Sequence, residues 1–189
     1  MAKGKAVLSL GIGVDSVNGA AFSPDGKRVV TASTSGVARL WDAHTGKLVA
    51  SLKGPASSPL NGAAFSPDGE LVVTASSDNN AVIWDAGTRK QIVTLRGHTN
   101  FVNSAVFSKK QKLVLTASSD GTARVWDAQT GLTLAVLYGD GSPLYRAVFS
   151  SDDSAVVTAG ADGTARVYGC DVCAAVPESP KGAWPPVVA

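Results

Sequence analysis

Short apolar runs alternate along the chain with turns rich in Gly, Pro, Asp and Ser. In one stretch the predicted strands cover residues 60–65, 70–76, 80–84 and 90–95. The turns between them contain Pro-Asp-Gly and Asp-Asn, which supply the fixed and the positive φ angles that tight turns need. The runs are nearly continuous rather than strictly alternating, which is typical of sheets covered on both faces. No long run has the helical period of about 3.6 residues, so the chain is predicted to be all-β.

The same set of strands recurs four times at a fixed spacing. A Phe closes the first strand of each set, and the four Phe residues are 43, 42 and 42 residues apart. An aromatic residue follows each Phe nineteen positions later, without drift. Composition alone does not produce such regular spacing, so the sequence predicts four copies of one four-stranded unit. The copies lie at 17–52, 60–95, 102–137 and 144–168, and they contain Phe22, Phe65, Phe107 and Phe149, followed by Trp41, Trp84, Trp126 and Tyr168.

Motifs inside the copies resemble those of the WD-repeat β-propeller family. FSPDG occurs at 22–26 and 65–69, TASSDGTARVWD at 116–127, and a Gly-His pair at 97–98. The resemblance covers about residues 4–169, and the family's period of about 40–45 residues per four-stranded blade agrees with the spacing. It implies an all-β propeller of antiparallel blades, with four blades in this chain.

The resemblance also implies a hydrogen-bonded network inside a blade, and only the third copy carries the full set. Its members are His98, Asp120, Thr116 or Ser118, and Trp126. The other three copies lack the His, and Tyr168 replaces the Trp in the fourth. Because the network is structural in the family, we expect it to stiffen the third blade rather than to perform catalysis.

The sequence predicts one extra strand before the first copy, and the last copy lacks its fourth strand. Residues 4–10 match the outer strand that follows Gly46 at an offset of 42, but no inner strands precede them. The last copy loses the pattern after Tyr168. A strand from the start that completes a last blade would remove the open edge.

Two ring closures satisfy this count. One chain would close on itself as a four-bladed ring, or two chains would join head to tail as an eight-bladed ring. A third possibility is a piece of a longer propeller. WD-type blades resemble those of rings of about seven or eight, so we expect a homodimer in which Ala6–Leu10 of one chain lies beside Thr164–Tyr168 of the other. A rival segment for that edge, 172–176, matches the outer strands poorly.

The charge balance gives little support to nucleic-acid binding. The chain has 17 Lys and Arg against 15 Asp and Glu, a formal net charge of +2, whereas nucleic-acid-binding domains carry a concentrated basic face. No apolar stretch approaches the roughly 20 residues of a bilayer span. With two cysteines and no convincing export signal, we expect a cytoplasmic protein without a membrane partner.

No catalytic or cofactor motif is found, so the chain is predicted not to be an enzyme and to need no cofactor. His44 lies in a predicted loop. Cys170 and Cys173 open a predicted tail, 170–189, which is rich in Pro. Free thiols, a disulfide and a metal shared by two chains stay open for this pair, and a zinc site within one chain is not expected because four ligands are needed. The tail resembles the ending of bacterial WD-repeat signalling proteins.

The remaining candidate site is the rim of the propeller channel, which the resemblance places beside the start of each first strand. Three Asn residues offer neutral hydrogen bonds or satisfy the backbone there, and aromatic residues are suited to anchoring a protein or peptide. We predict a non-catalytic interaction scaffold. The alternative is a self-assembling half-propeller, natural or engineered, with no partner of its own. The rim residues are Asn18, Asn61, Asn103, Tyr145, Phe101, Ser16, Pro59 and Pro143.

Overall fold

The computed structural model describes residues 6–11, 15–54, 57–110 and 112–174, which form fifteen strands and one short helix. The strand limits lie within one residue of the expected repeat limits. The elements are β1 (Val17–Phe22), β2 (Arg28–Ser33), β3 (Val37–Asp42), β4 (Leu48–Lys53), β5 (Leu60–Phe65), β6 (Leu71–Ser76), β7 (Ala81–Asp85), β8 (Gln91–Leu95), β9 (Val102–Phe107), β10 (Leu113–Ser118), β11 (Thr122–Asp127), β12 (Thr133–Tyr138), β13 (Leu144–Phe149), β14 (Ala155–Gly160), β15 (Ala165–Gly169) and α1 (Asp171–Ala174).

The strands form four antiparallel sheets, which are the blades. Blade 1 is β1–β4, blade 2 is β5–β8, blade 3 is β9–β12, and blade 4 is β13–β15. Each strand pairs with the next one in the chain, so every blade is a meander that starts with an inner strand. The prediction of an all-β propeller with four blades per chain is confirmed, although blade 4 has three strands. No helix in the described part of the chain is long and apolar enough to cross a membrane.

The turn between the second and third strands of each blade needs a left-handed backbone, and the sequence supplies residues that adopt it. Each of the four turns has one residue at positive φ. Gly carries no Cβ penalty there, and Asn is the residue that tolerates the region next best. The residues and their φ angles are Gly36 (76°), Asn79 (70°), Gly121 (82°) and Gly163 (75°).

The hydrophobic cores lie between blades rather than inside them. Leu40 and Leu52 of blade 1 meet Phe65 and Trp84 of blade 2 in one buried cluster. Equivalent residues form a second cluster between blades 2 and 3 and a third between blades 3 and 4. Blades 2 and 3 therefore bury both faces against neighbouring blades, whereas blades 1 and 4 each bury one face.

The four blades form an open series. Inner strand β1 packs on β5, β5 on β9, and β9 on β13. Within the described residues, β1 and β13 make no comparable contact, so the chain does not close on itself as a four-bladed ring.

Two segments differ from the sequence expectation. Residues 6–10 belong to no strand in the single chain, and residues 4 and 5 of the expected strand lie outside the described residues. At the other end, the expected tail begins in ordered structure. The backbone N–H of Cys170 donates to Ser154 O at 2.9 Å, as that of Ala43 donates to Lys27 O at 2.8 Å. Cys170 thus occupies the place of the Ala that follows the third strand in the other blades.

Candidate functional site

The rim is built by one hydrogen bond that recurs in every blade. The backbone N–H of the residue that starts each turn between second and third strands donates to a carbonyl just before that blade's inner strand. These bonds fix the backbone of the loops that carry four of the candidate rim residues. The pairs are Thr34 to Ser16 (3.0 Å), Ser77 to Pro59 (2.9 Å), Ser119 to Phe101 (2.9 Å) and Ala161 to Pro143 (2.8 Å).

The three rim Asn side chains join neighbouring blades. Asn18 Nδ2 donates to Leu60 O at 2.9 Å, across the junction from blade 1 to blade 2. The next two junctions repeat the contact, from Asn61 Nδ2 to Val102 O at 2.9 Å and from Asn103 Nδ2 to Leu144 O at 2.8 Å. In all three junctions the amide donates to the backbone of the following blade. The sequence did not predict that these side chains hold neighbouring blades together.

Both aromatic rim residues are exposed. Phe101 is 50% exposed and Tyr145 is 59% exposed. Pro59, Pro143 and Ser16 are exposed as well. Tyr145 occupies the position that Asn has in the other three blades, so the rim of blades 3 and 4 is the more aromatic half.

Blade 3 contains the expected network, and the hydrogen-bond partners determine which atom carries each proton. Trp126 Nε1 donates to Thr116 Oγ1 at 2.8 Å, and Thr116 Oγ1 lies 2.7 Å from His98 Nε2. His98 Nδ1 lies 2.7 Å from Asp120 Oδ2. Because a carboxylate only accepts, Nδ1 carries the proton and donates to it, and Nε2 accepts from the Thr116 hydroxyl. Ser118 Oγ accepts the backbone N–H of Asp120 at 3.0 Å, so both the Thr and the Ser named from the sequence take part.

Burial and hydrogen bonding set the charges of the pair. Burial lowers the pKa of His98 below its usual value, and this outweighs the attraction of Asp120. Burial opposes the ionisation of Asp120, but hydrogen bonds from Thr122 and His98 overcome it and lower its pKa to about 2. The network therefore joins a neutral imidazole to a carboxylate. His98 is 7% exposed.

Blade 1 has a different polar cluster that the sequence did not reveal. Arg39 Nη2 donates to Asp15 Oδ2 at 3.0 Å, and Arg39 Nη1 donates to Ser33 Oγ at 3.0 Å. The Ser33 hydroxyl also bonds Ser35 Oγ, 2.9 Å away. A hydrogen bond from Ser35 is the largest cause that lowers the pKa of Asp15. The sequence features that could have indicated this cluster are Asp15, in the loop before β1, and Arg39 on β3.

The described residues hold no cluster of three or more His, Cys, Asp or Glu that would bind a metal ion. Cys170 and Cys173 are joined by a disulfide, and both are buried against blade 3. An open depression of about 390 Å³ between blades 3 and 4 is lined by Phe107, Phe149, Lys109 and Asp153, among others. Asp153 accepts the backbone N–H of Lys109 at 3.0 Å, so it joins the turn after β13 to the turn after β9.

Comparison with known proteins agrees with this geometry. The family model described as "WD domain, G-beta repeat" matches residues 7–42, 46–85, 89–127 and 131–169. A search of curated proteins finds no match. Among solved structures, the crystal structure of the computationally designed Ika4 protein is similar with a TM-score of 0.76 and 30% identity, covering 88% of this chain and 99% of the other. The four matched segments span most of the chain, and the chain therefore belongs to the WD-repeat family.

Proposed function

We propose that the chain is a non-catalytic scaffold that binds a protein or peptide on its rim. The WD-repeat family, to which the chain belongs, consists of propellers that are generally non-catalytic interaction modules. The rim proposal rests on one observation. Phe101 and Tyr145 expose large aromatic side chains on loops whose backbones are held by hydrogen bonds to neighbouring strands.

The exposed aromatic side chains are suited to anchoring a partner at a low entropic cost. Rigid aromatic side chains lose little entropy on binding and bury a large area, so they dominate interface energies. The neighbouring Asn103 amide donates to Leu144 O and to Ser119 Oγ, which leaves the aromatic side chains as the main anchors. The partner is expected to present an apolar or aromatic segment. Since the chain has a net charge of +2, a nucleic-acid partner is not proposed.

The test compares a double variant, Phe101→Ala with Tyr145→Ala, with the parent protein. Each protein is immobilised and incubated with extract of the cells that produce it, and retained proteins are identified by mass spectrometry. The matched control is Leu132→Ala, because Leu132 is 66% exposed but lies at the other end of the blade, in the turn before β12. Circular dichroism checks that all three proteins are folded.

A protein retained by the parent and by Leu132→Ala, and lost from the double variant, would support the proposal. Each aromatic residue is expected to contribute about 1–4 kcal/mol if it is a hot spot. Equal retention by all three proteins would overturn it. We also propose a cytoplasmic location, which fractionation of the producing cells tests directly.

A further inference from the structure

The last blade lacks an outer strand. Blades 1 to 3 each have four strands, whereas blade 4 ends at β15, whose outer edge pairs with no strand of the described residues. An unpaired edge exposes backbone N–H and C=O groups and invites pairing with another strand. The chain continues from β15 into α1, so the segment that directly follows does not fill this edge.

The start of the chain already lies where a missing outer strand would lie. A Cβ added to Gly131 in blade 3 would meet Val93 and Leu95 of the preceding outer strand β8. A Cβ added to Gly46, the equivalent residue of blade 1, would meet Leu8 and Leu10. The segment 6–10 is therefore placed against blade 1 as β8 is placed against blade 3.

Both ends of the open series expose positions that are buried elsewhere. Val167 in blade 4 is 73% exposed, whereas its equivalents Leu40, Ile83 and Val125 are all 0% exposed. At the other end, Phe22 is 68% exposed, whereas Phe65 is 9% exposed. Each end is thus half of an inter-blade core that has no second half in the single chain.

The two halves are complementary because they are repeats of one junction. In blades 1 and 2, the face that contains Leu40 packs on the face that contains Phe65. By the repeat, the face of Val167 fits the face of Phe22. Antiparallel pairing of β3 with β4 places Ala38 opposite Leu52. The same register, transferred by the repeat, places Leu10 opposite Ala165.

We propose that these ends are an interface with a second copy of the chain. Two copies join head to tail in one eight-bladed ring, and residues 6–10 of each copy form the outer strand beside β15 of the other. β1 and β13 of one chain make no comparable contact, so the two ends do not pair with each other within one chain. A second copy is the occupant that the repeat fits to each end, because its faces reproduce the junction between blades 1 and 2. A two-fold ring has two identical junctions and leaves no end open. The interface is independent of the partner bound at the rim.

The first test is the mass of the intact chain in solution, measured by size-exclusion chromatography with light scattering. We expect twice the 19.2 kDa of one chain over a wide range of protein concentration. A monodisperse monomer, or assemblies that grow with concentration, would overturn the closed two-chain ring.

The second test breaks the junction with charge. Val167→Asp is expected to give a folded monomer, because the residue is exposed in one chain and buried in the ring. Leu132→Asp, an equally exposed site away from the junction, is the matched control and should remain a dimer. A dimer that persists in Val167→Asp would overturn the interface.

A variant outside the sheets keeps the test valid if Val167→Asp fails to fold. Leu8→Asp should also give a monomer, because Leu8 faces blade 1. Its neighbour Val7 is 91% exposed and would lie on the opposite face of the exchanged strand, so Val7→Asp should stay dimeric. Equal masses for the two variants would contradict the exchanged strand. A monomeric variant that still retains the proteins bound through the rim would show that this interface is separate from the proposed function.

Discussion

Blades 3 and 4 have equivalent inner strands and turns, but the Thr at the centre of each blade has different hydrogen-bond partners. In blade 3, Thr116 Oγ1 accepts from Trp126 and donates to His98. In blade 4, the equivalent Thr158 Oγ1 is buried and has no hydrogen-bond partner among the described residues. The same residue at the same position is the centre of a network in one blade and an unsatisfied hydroxyl in the other.

The difference follows from two substitutions around that Thr. Tyr168 stands where blade 3 has Trp126, and its hydroxyl donates outward to Tyr138 O at 2.9 Å instead of inward to the Thr. No His precedes blade 4 at the position of His98. The junction after blade 4 is also uncovered in the single chain. Blade 4 is therefore the least internally supported blade and depends most on its neighbours.

Blade 2 is the intermediate case. Trp84 Nε1 donates to Thr74 Oγ1 at 3.0 Å, as in blade 3. Without a His, the Thr74 hydroxyl turns to Val82 O at the long distance of 3.4 Å. The Trp–Thr pair thus forms without His98, and the His adds a second layer that joins the pair to Asp120 and to the loop before β9.

Trp126→Ala should have the largest effect on stability. The side chain is 0% exposed and lies in the core between blades 2 and 3, so its loss is expected to cost about 3–5 kcal/mol. Tyr168→Ala in blade 4 should cost less, because Tyr168 is only half-buried. Urea unfolding at one fixed protein concentration measures both. A larger cost for Tyr168→Ala would reverse the ranking of the two blades.

His98→Ala should destabilise the protein by about 1–3 kcal/mol, because it removes the buried acceptor of the Thr116 hydroxyl and one buried donor to Asp120. The control is His44→Ala, since His44 lies in the turn after β3 and its ring makes no hydrogen bond in the described structure. Thermal unfolding of the two variants compares them directly. A neutral His98→Ala would mean that the network adds nothing to the Trp–Thr pair.

Much of the fold and part of the site were predictable from the sequence, for physical reasons. Strands, turns and blade number depend on local patterning and on a fixed repeat. His98 and Asp120 were found because family motifs mark them. The Asn18 contact with Leu60 was not predictable, because it depends on how two blades meet. The sequence did not predict that Cys170 continues blade 4, because Cys170 and Ala43 share a position in the repeat but not a residue type. That shared position was the feature that could have indicated the contact.

The pH dependence of stability should report the same network. Burial lowers the pKa of His98 in the folded protein, so the unfolded chain binds more protons as the pH falls below the usual pKa of about 6.5. Stability is therefore expected to fall from pH 7 towards pH 5, with a slope of at most about 1.4 kcal/mol per pH unit for one group. Asp120, with a pKa lowered to about 2, adds a further loss below its unfolded value of 3.8. His98→Ala should flatten the upper part of this profile.

The smallest effect is expected from Thr158→Val, and it should be stabilising. The substitution replaces an unsatisfied buried hydroxyl by a methyl group of similar size, which removes a desolvation cost of up to about 1 kcal/mol. The matched change Thr116→Val should destabilise, because it orphans Trp126 Nε1–H and removes the hydroxyl that donates to His98. Chemical denaturation of the two variants beside the parent protein measures the opposite signs. If both substitutions destabilise equally, Thr158 has a partner in the assembled protein, and the contrast between the two blades is limited to the residues around the Thr.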